Sequence, residues 1–206
     1  MAEHTSGWRS LLGLSFVYNF CQESLGSSQF RIKFVEKHVR PKAGMRILDL
    51  GCGPGTILDF LPADIDYVGV DLSETYIKSA QIKFGDRGRF LCLPVESTLE
   101  AGLKDFDVVL GMGLVHHLDD NQAHSFFSLA SKAMAPKGRC VTHDPCLAKG
   151  QHPFARFMIG LDRGQNIRTA EGYGALAQSL FSKLDQHVYH DWLRIPYTHH
   201  IMECSL

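Results

Sequence analysis

The sequence predicts an α/β protein with a doubly wound, seven-stranded mixed sheet that ends in a C-terminal β-hairpin. Three observations support this prediction. Short apolar runs alternate with helical patterns between residues 45 and 145, as in a parallel sheet with crossover helices. The first of these runs, residues 45–50, ends in closely spaced glycines, as a buried strand does when it turns tightly beneath a ligand. The last two strand candidates are joined by a link too short for a parallel crossover, so the final strand must pair antiparallel.

Length and composition fit one globular domain over residues 1–206, because 45% of the residues are hydrophobic and 21% are charged. The formal net charge of −1 predicts no general attraction to nucleic acid. Six cysteines without a C-x-x-C pair favour a reducing, cytoplasmic environment. The N-terminal region lacks a basic leader and its longest uncharged stretch is too short to cross a bilayer, so we expect no membrane span.

The elements follow one another in the order that a doubly wound sheet requires. Strands are assigned to short buried apolar runs, and helices to periodic segments that begin at the capping residues Ser73, Asp119 and Thr169. The predicted elements are two helices within 8–38, strand one at 45–50, a short helix at 55–61, strand two at 67–70, a helix after residue 73, strand three at 89–93, strand four at 106–110, a helix at 119–134, strand five at 139–143, broken helical patches at 150–182, and hairpin strands at 187–193 and 197–204.

The glycines after strand one match neither common phosphate-binding motif. A dinucleotide fingerprint that begins at Gly51 needs Gly or Ala at the sixth position, which is Thr56 here, and no Lys follows to complete a P-loop. Asp49, two residues before the first glycine, would repel a pyrophosphate but suits an ammonium group. Asp71 lies at the end of strand two, where a carboxylate can accept hydrogen bonds from both ribose hydroxyls. A cofactor with an ammonium, a ribose and no phosphate is S-adenosylmethionine.

Four stretches carry a resemblance to a known family. Asp-Leu-Gly-Cys-Gly-Pro-Gly at 49–55 resembles motif I of the class I S-adenosylmethionine-dependent methyltransferases, and Val-Asp-Leu-Ser at 70–73 resembles their ribose-binding acid. Residues 106–118 are similar to the fourth-strand motif of the branch that contains quinone-biosynthesis methyltransferases. Ala-Pro-Lys-Gly-Arg at 135–139 is similar to the family's turn into strand five. The resemblance implies a Rossmann-like methyltransferase fold, with N-terminal lid helices at 1–40 and a candidate substrate lid at 147–183.

The resemblance also implies a set of cofactor-binding residues. Leu72 would pack against the adenine, the end of strand three would flank it, and helices before strand one would close over the methionine end. Several alternatives stay open: Gly53 and Gly55 can be turn glycines only, Asp71 a helix cap, and the helix residues ordinary packing or surface charge. The implied residues are Asp49, Gly51, Cys52, Gly53, Asp71, Leu72, Val95, Glu96, Gly111, Met112, Tyr18 and Arg31.

Candidate residues for the acceptor side follow strands four and five. His116, His117 and Asp144 are the candidate catalytic residues, since histidine has a pKa suited to proton transfer at neutral pH. One histidine can instead pack or cap the next helix, and Asp144 can be a turn residue before a proline. Arg163 and Arg168 of the lid segment are candidates to pair with an anionic substrate group, or else solvated surface arginines.

The eleven histidines suggest metal binding, but the two closest pairs in the tail do not support it. The spacing of His187 with His190 and of His199 with His200 does not project two side chains to one face of a strand. We therefore expect no metal site. Pro145-Cys146 resembles a cytosine methyltransferase nucleophile, but it follows the wrong strand.

The functional hypothesis is an enzyme that transfers a methyl group from S-adenosylmethionine to a small-molecule acceptor by in-line displacement. A nicotinamide-dependent oxidoreductase is disfavoured by the missing fingerprint. A non-catalytic cofactor-binding or partner-binding protein on the same fold is the alternative that the sequence leaves open.

Overall fold

A computed structural model describes residues 26–162 and 164–206 of the chain. These residues form one seven-stranded sheet with helices on both faces. The strands are β1 (Arg46–Leu50), β2 (Asp66–Asp71), β3 (Arg89–Cys92), β4 (Phe106–Met112), β5 (Met134–Pro145), β6 (Lys183–Tyr189) and β7 (His199–Ser205). The α-helices in this part of the chain are α1 (Ser27–Phe34), α2 (Glu74–Phe84), α3 (Asp120–Ala133), α4 (Pro153–Gly160) and α5 (Ala170–Ala177).

The sheet has the strand order β3-β2-β1-β4-β5-β7-β6. Strands β1 to β5 pair in parallel, and β7 pairs antiparallel with both β5 and β6. The prediction of a doubly wound, seven-stranded mixed sheet with a terminal hairpin is therefore confirmed. The chain runs outward from β1 to β3 and then returns to the other side of β1 as β4. The carboxyl ends of β1 and β4 thus form the switch point, where open α/β sheets bind ligands.

Two apolar clusters cover the two faces of the sheet. One contains the buried faces of α3 and α5, including Phe126, Phe127 and Tyr173. The other contains the buried faces of α1 and α2, including Phe34 and Phe84. Both faces of the central strands are consequently dry, which explains why β1 and β4 are almost continuous apolar runs.

The predicted helix starts are confirmed in detail. The Ser73 hydroxyl accepts a hydrogen bond from the backbone N–H of Tyr76 at 3.3 Å. Asp119 and Gln122 form the complete capping box at the start of α3. The Thr169 hydroxyl accepts from the backbone N–H of Gly172 at 3.2 Å and begins α5. Because α3 begins directly after the loop that follows β4, its capping box fixes the position of that loop.

The short helix predicted at 55–61 is a 3-10 helix over Thr56–Phe60. One element prediction is wrong. The first hairpin strand is Lys183–Tyr189 rather than 187–193. β6 is a largely exposed edge strand without an apolar alternation, whereas Trp192 is buried beyond the strand and stacks on Tyr189 with ring centroids 3.9 Å apart. The apolar residues beyond Tyr189 therefore belong to the loop that follows the strand.

The second of the two predicted N-terminal helices is α1, which continues as a π-helical turn over Val35–Val39. The first lies outside the described residues. His38 fastens the turn to the hairpin, because its Nδ1 lies 2.8 Å from Glu203 Oε1. None of the helices in the described ranges is long and apolar enough to cross a membrane.

Candidate functional site

The candidate site lies at the carboxyl ends of the parallel strands, where four predicted residues end four neighbouring strands. Asp49 comes from β1, Asp71 from β2, Met112 from β4 and Asp144 from β5. The sheet topology therefore brings together residues that are up to 95 positions apart in the sequence. Three of the four are acids, which makes this edge suited to cationic ligand groups.

The glycine loop follows β1 and has the tight form that its sequence predicts. Gly51, Gly53 and Gly55 have φ values of 71°, 55° and 69°, a region that side chains with a Cβ rarely adopt. A Cβ on Gly55 would lie 2.8 Å from a ring carbon of Phe90, so this glycine also allows close packing. A Cβ on Gly53 would meet no atom within 4 Å, so a ligand can approach the backbone there.

Asp49 is a buried carboxylate with an incomplete set of partners. It is 2% exposed, and its Oδ2 accepts a hydrogen bond from the Tyr67 hydroxyl at 2.7 Å. Its Oδ1 is buried and has no hydrogen-bond partner. Burial raises the pKa of Asp49 to about 7, although the Tyr67 hydrogen bond lowers it and the nearby Asp71 charge raises it further. A buried acceptor without a partner is costly, so this site is suited to a donor that arrives with a positive charge.

Asp71 joins the glycine loop to the start of α2. Its Oδ2 accepts from the backbone N–H of Gly53 at 2.8 Å, and its Oδ1 accepts from the backbone N–H of Ser73 at 2.8 Å. The helix cap is Ser73, so the alternative that Asp71 caps this helix is wrong. Each Asp71 oxygen keeps a further lone pair for a ligand hydroxyl. Leu72 follows with 73% of its surface exposed, which leaves an apolar side chain free beside the carboxylate.

At two predicted cofactor residues, Cys52 and Gly111, the space for a side chain lies in the core and not at the sheet edge. The Cys52 side chain lies against Gly69, and burial raises the pKa of its thiol well above the usual range. A Cβ on Gly111 would lie 2.6 Å from the ring of Phe126. Cys52 can therefore offer a ligand only its backbone, and Gly111 is small because α3 packs against it.

Four further predicted cofactor residues lie on elements around this edge. Met112 is half-buried at the end of β4, and Val95 is half-buried in the 3-10 turn after β3. Glu96 is exposed and lines a shallow depression together with α3 residues. Arg31 of α1 lies near His143, whose pKa is lowered mainly by burial and further by neighbouring positive groups that include Arg31. Tyr18 lies outside the described residues.

His116 is held by Asp144 across the ends of β4 and β5. Asp144 Oδ1 lies 2.8 Å from His116 Nδ1 and also accepts from the His116 backbone N–H at 3.0 Å. Both residues are buried. Burial raises the pKa of Asp144, while its hydrogen bonds with His116 oppose the rise. Asp144 lies within β5 and is not a turn residue, because the strand extends to Pro145.

A carboxylate from residues 147–183, the candidate substrate lid that we call the lid segment, completes this cluster. The sequence does not predict this contact. Asp162 Oδ1 lies 3.3 Å from His116 Nε2, on the side of the ring opposite Asp144. Gly164 crosses over the same ring so closely that a Cβ there would collide with His116. The only sequence signal was a turn cluster at 162–166, which does not indicate what the turn covers.

His117 lies next to His116 but faces solvent. The two ring centroids are 4.0 Å apart. Partial burial and the neighbouring His116 lower the pKa of His117, and Asp162 opposes this effect. His117 is thus the exposed member of a cluster whose other members are covered.

Arg168 fastens the lid segment to the body of the protein. Its guanidinium is only 12% exposed and donates to the Asp120 carboxylate and to the carbonyls of Val115, Leu118 and Asn166. These contacts use all five N–H groups of the guanidinium. The predicted pairing of Arg168 with substrate would have to compete with them and stays a prediction. Arg163 lies outside the described residues.

The two histidine pairs in the tail are separated as their spacing predicts. His199 lies 2.9 Å from His143, and its neighbour His200 lies 2.9 Å from Gln186, so the pair in β7 is divided between different partners. His190 contacts Thr198 rather than His187. Other groups meet the distance requirements of a metal site, and one of them is the cluster of His116, His117 and Asp162.

Known proteins that are similar in sequence to this chain include methyltransferases. Residues 47–138 match the family model of a methyltransferase domain. The ubiquinone biosynthesis O-methyltransferase of Idiomarina loihiensis is 29% identical over 113 residues, which cover 53% of this chain and 46% of that protein. The cyclopropane-fatty-acyl-phospholipid synthase of Escherichia coli K12 is 27% identical over 120 residues, which cover 57% of this chain and 30% of that protein. The matches thus span less than half the length of these relatives.

Solved structures show the same fold over more of the chain. A SAM-dependent methyltransferase from Archaeoglobus fulgidus superposes with a TM-score of 0.72 and 18% identity, covering 92% of this chain and 100% of that one. This likeness therefore covers more of the chain than residues 47–138.

The Arg168 contacts generate a prediction about the lid segment. We expect Arg168→Gln to increase amide hydrogen exchange at Asn166, whose N–H donates to the His116 carbonyl, by about 10- to 100-fold. This corresponds to the loss of about 1.5–3 kcal/mol from charged hydrogen bonds. Hydrogen exchange with mass spectrometry measures the change. Arg156→Gln, at an exposed position on α4, is the matched control, and equal exchange in both variants would contradict the role of Arg168.

Proposed function

We propose that this chain, which belongs to the class I S-adenosylmethionine-dependent methyltransferase superfamily, catalyses methyl transfer to a small-molecule acceptor. The single observation that carries the proposal is the buried Asp49 carboxylate beside an open glycine loop and a second carboxylate, Asp71. This arrangement offers one acid to an ammonium group and another to a ribose. It has no counterpart to a phosphate-binding loop.

The residues present fit this cofactor. The unpartnered Oδ1 of Asp49 would gain a charged donor from the amino group of the methionine half. Asp71 would accept from the ribose hydroxyls, and the exposed Leu72 would cover the adenine. Gly51, Gly53, Gly111 and the backbone of Cys52 would border the methionine half, because none of them presents a side chain there.

Methyl transfer places particular demands on the protein. The bound cofactor supplies an electrophilic methyl group on a positively charged sulfur. The acceptor atom must then be aligned with the methyl and the sulfur, so most of the catalytic effect can come from positioning. The ends of β1, β2 and β4, which strand pairing holds in place, would bind the cofactor. The lid segment, fastened through Arg168, would cover the acceptor.

We place the acceptor beside His116 and His117. Asp144 engages His116 Nδ1, so Nε2, which Asp162 Oδ1 faces at 3.3 Å, is the nitrogen left to act on an acceptor that displaces this carboxylate. Asp144 is a positioning residue in this proposal, because it is buried and acts through the histidine. His117, which is exposed, contacts the acceptor from the solvent side.

The class of acceptor is a small molecule whose reacting atom is not fixed by the fold. One relative is named for an oxygen acceptor and another for a fatty acyl phospholipid. We favour an oxygen acceptor, because the histidine and carboxylate groups around His116 are suited to a hydroxyl. We also propose a cytoplasmic protein that acts without nucleic acid, in line with its near-neutral charge.

A direct test uses the full chain with radiolabelled S-adenosylmethionine and separate panels of phenols, amines and thiols. We expect label in an organic product from the phenol panel. Cofactor binding by calorimetry distinguishes the two hypotheses, because binding without transfer to any panel would favour the non-catalytic alternative. The absence of binding would contradict both.

The ribose assignment predicts the effect of changing Asp71. We expect Asp71→Asn to weaken cofactor binding by about 10- to 100-fold, because charged hydrogen bonds contribute about 1.5–3 kcal/mol. Calorimetric titration measures the dissociation constant. Asp66→Asn changes an exposed acid at the other end of the same strand and should leave it unchanged. Equal affinities in the two variants would refute the assignment.

The raised pKa of Asp49 predicts how cofactor binding depends on pH. A cationic group binds the ionised carboxylate, which is in the minority below its pKa of about 7. Affinity should therefore rise by up to about tenfold per unit between pH 5 and 7, and level off above the pKa. Asp49→Asn should bind weakly with a flat profile over this range. A wild-type profile that is also flat would show that Asp49 does not titrate on binding.

The acceptor side predicts a loss of turnover without a loss of cofactor binding. We expect His116→Ala to lower kcat by roughly 10²- to 10⁴-fold, the usual range for a group that assists proton transfer. The dissociation constant of the cofactor should change little. His124→Ala, at an exposed position on α3, is the matched control. An unchanged kcat in His116→Ala would remove this residue from the mechanism.

A further inference from the structure

We infer that His116, His117 and Asp162 form a binding site for a divalent transition-metal ion of the zinc class. Each residue supplies one ligand atom, and these ligand atoms all lie within 4.8 Å of one another. Two come from the loop after β4 and the third from the segment after α4. The site therefore exists only when the lid segment lies over the sheet edge.

The distances suit an ion with tetrahedral coordination. Nitrogen and oxygen ligands bind zinc at about 2.0–2.1 Å, which separates two tetrahedral ligand atoms by about 3.3–3.4 Å. His116 Nε2 and Asp162 Oδ1 are 3.3 Å apart. This pair needs little adjustment to hold an ion, and the His117 ring, tilted by 38° against the His116 ring, has a nitrogen within 4.8 Å of both ligand atoms.

The partner of His116 fixes the nitrogen that faces the ion. Asp144 Oδ1 lies 2.8 Å from His116 Nδ1, so in the tautomer that donates Nδ1–H to this carboxylate Nε2 carries the lone pair. In that tautomer the lone pair faces Asp162 Oδ1 at 3.3 Å, and a cation between the two atoms, either a proton or a metal ion, would relieve their repulsion. A proton would satisfy only this pair, whereas a metal ion would use His117 as well. A carboxylate behind a ligand histidine is also the usual support of a metal site.

The exposure of the three residues leaves room for a further ligand. The His116 side chain is 6% exposed, that of Asp162 is 27% exposed, and His117 is open to solvent. Three protein ligands with one position toward solvent are typical of catalytic zinc sites. Two imidazoles and one carboxylate favour zinc or a neighbouring first-row ion over Mg²⁺ or Ca²⁺, which prefer oxygen.

A second group among the described residues meets the same distance requirement but is already satisfied. It consists of His38, His187 and Glu203. The difference from the first group is the carboxylate, because Glu203 already forms an ion pair with the permanently charged Arg40 as well as contacting His38 at 2.8 Å. An ion would have to displace these contacts, so this group serves as the internal control.

The consequence for the reaction rests on the proposed function, although metal binding itself does not. An ion at this position would bind the oxygen of a hydroxyl acceptor in its open position. It would favour the ionised form, with the proton released to water, and the acceptor oxygen would then attack as an alkoxide or phenolate. His116 would in this case act on the acceptor through the metal.

The test measures metal binding without any assay of activity. The full chain is stripped with a chelator and titrated with Zn²⁺ against a chromophoric competitor, and then with Co²⁺, whose visible absorption reports its ligands. We expect one equivalent of tightly bound ion. Asp144→Asn, which changes the residue behind a ligand, should weaken metal binding by about 10- to 100-fold. His117→Gln and Asp162→Asn, which each remove a ligand, should weaken it further.

Control variants distinguish this site from metal binding elsewhere on the chain. His124→Gln, on exposed α3 surface, and His187→Gln, in the second group, should leave binding unchanged. Circular dichroism and cofactor titration on the same samples verify that each variant is folded, and His117→Gln removes an exposed side chain whose loss should not disturb the fold. No binding to the wild-type chain, or binding lost only in His187→Gln, would overturn the proposal. Either result leaves the cofactor assignment intact, because that assignment has its own titration.

Discussion

A carboxylate buried at the end of the central strand is the constraint on which the cofactor side of this protein depends. Asp49 has one oxygen bonded to Tyr67 and the other without a partner, so the fold keeps an acid where it is costly. The parallel pairing of β1 with β2 and β4 fixes the position of the strand end and offsets this unfavourable burial. A cationic group at the open oxygen would remove the penalty, which links the stability of this edge to occupation of the site.

Asp71 transmits that constraint to the surrounding loop. By accepting from both the glycine loop and Ser73, the cap residue of α2, it holds the ends of two neighbouring strands in one geometry. The glycines then allow a ligand to approach the backbone closely. The Cys52 side chain lies in the core, and Gly111 has no side chain because Phe126 packs against it. The cofactor side is thus a backbone surface framed by two acids, with few side chains that need to move.

The proposed acceptor side is built differently, because it depends on a contact between distant segments. His116 lies between Asp144 of β5 and Asp162 of the lid segment, so one imidazole is flanked by two carboxylates. Such an arrangement favours a positive charge or a metal ion near the ring. Arg168 keeps the lid segment in place and so helps to form the cluster.

The sequence by itself determined the sheet, its helix caps and the acids and glycines that we propose for the cofactor, because these are local patterns. Apolar runs, capping residues and the spacing of Asp49, Gly51 and Asp71 all lie within short stretches of chain. Only the tertiary structure decided the position of β6, whose exposed edge carries no apolar pattern, and the partners of His116. Asp162 is 46 residues from His116 in the sequence, and no local signal indicates that a turn there will cover a histidine. The two meet because the chain after α4 crosses the carboxyl edge of the sheet, and that path is set by packing rather than by spacing.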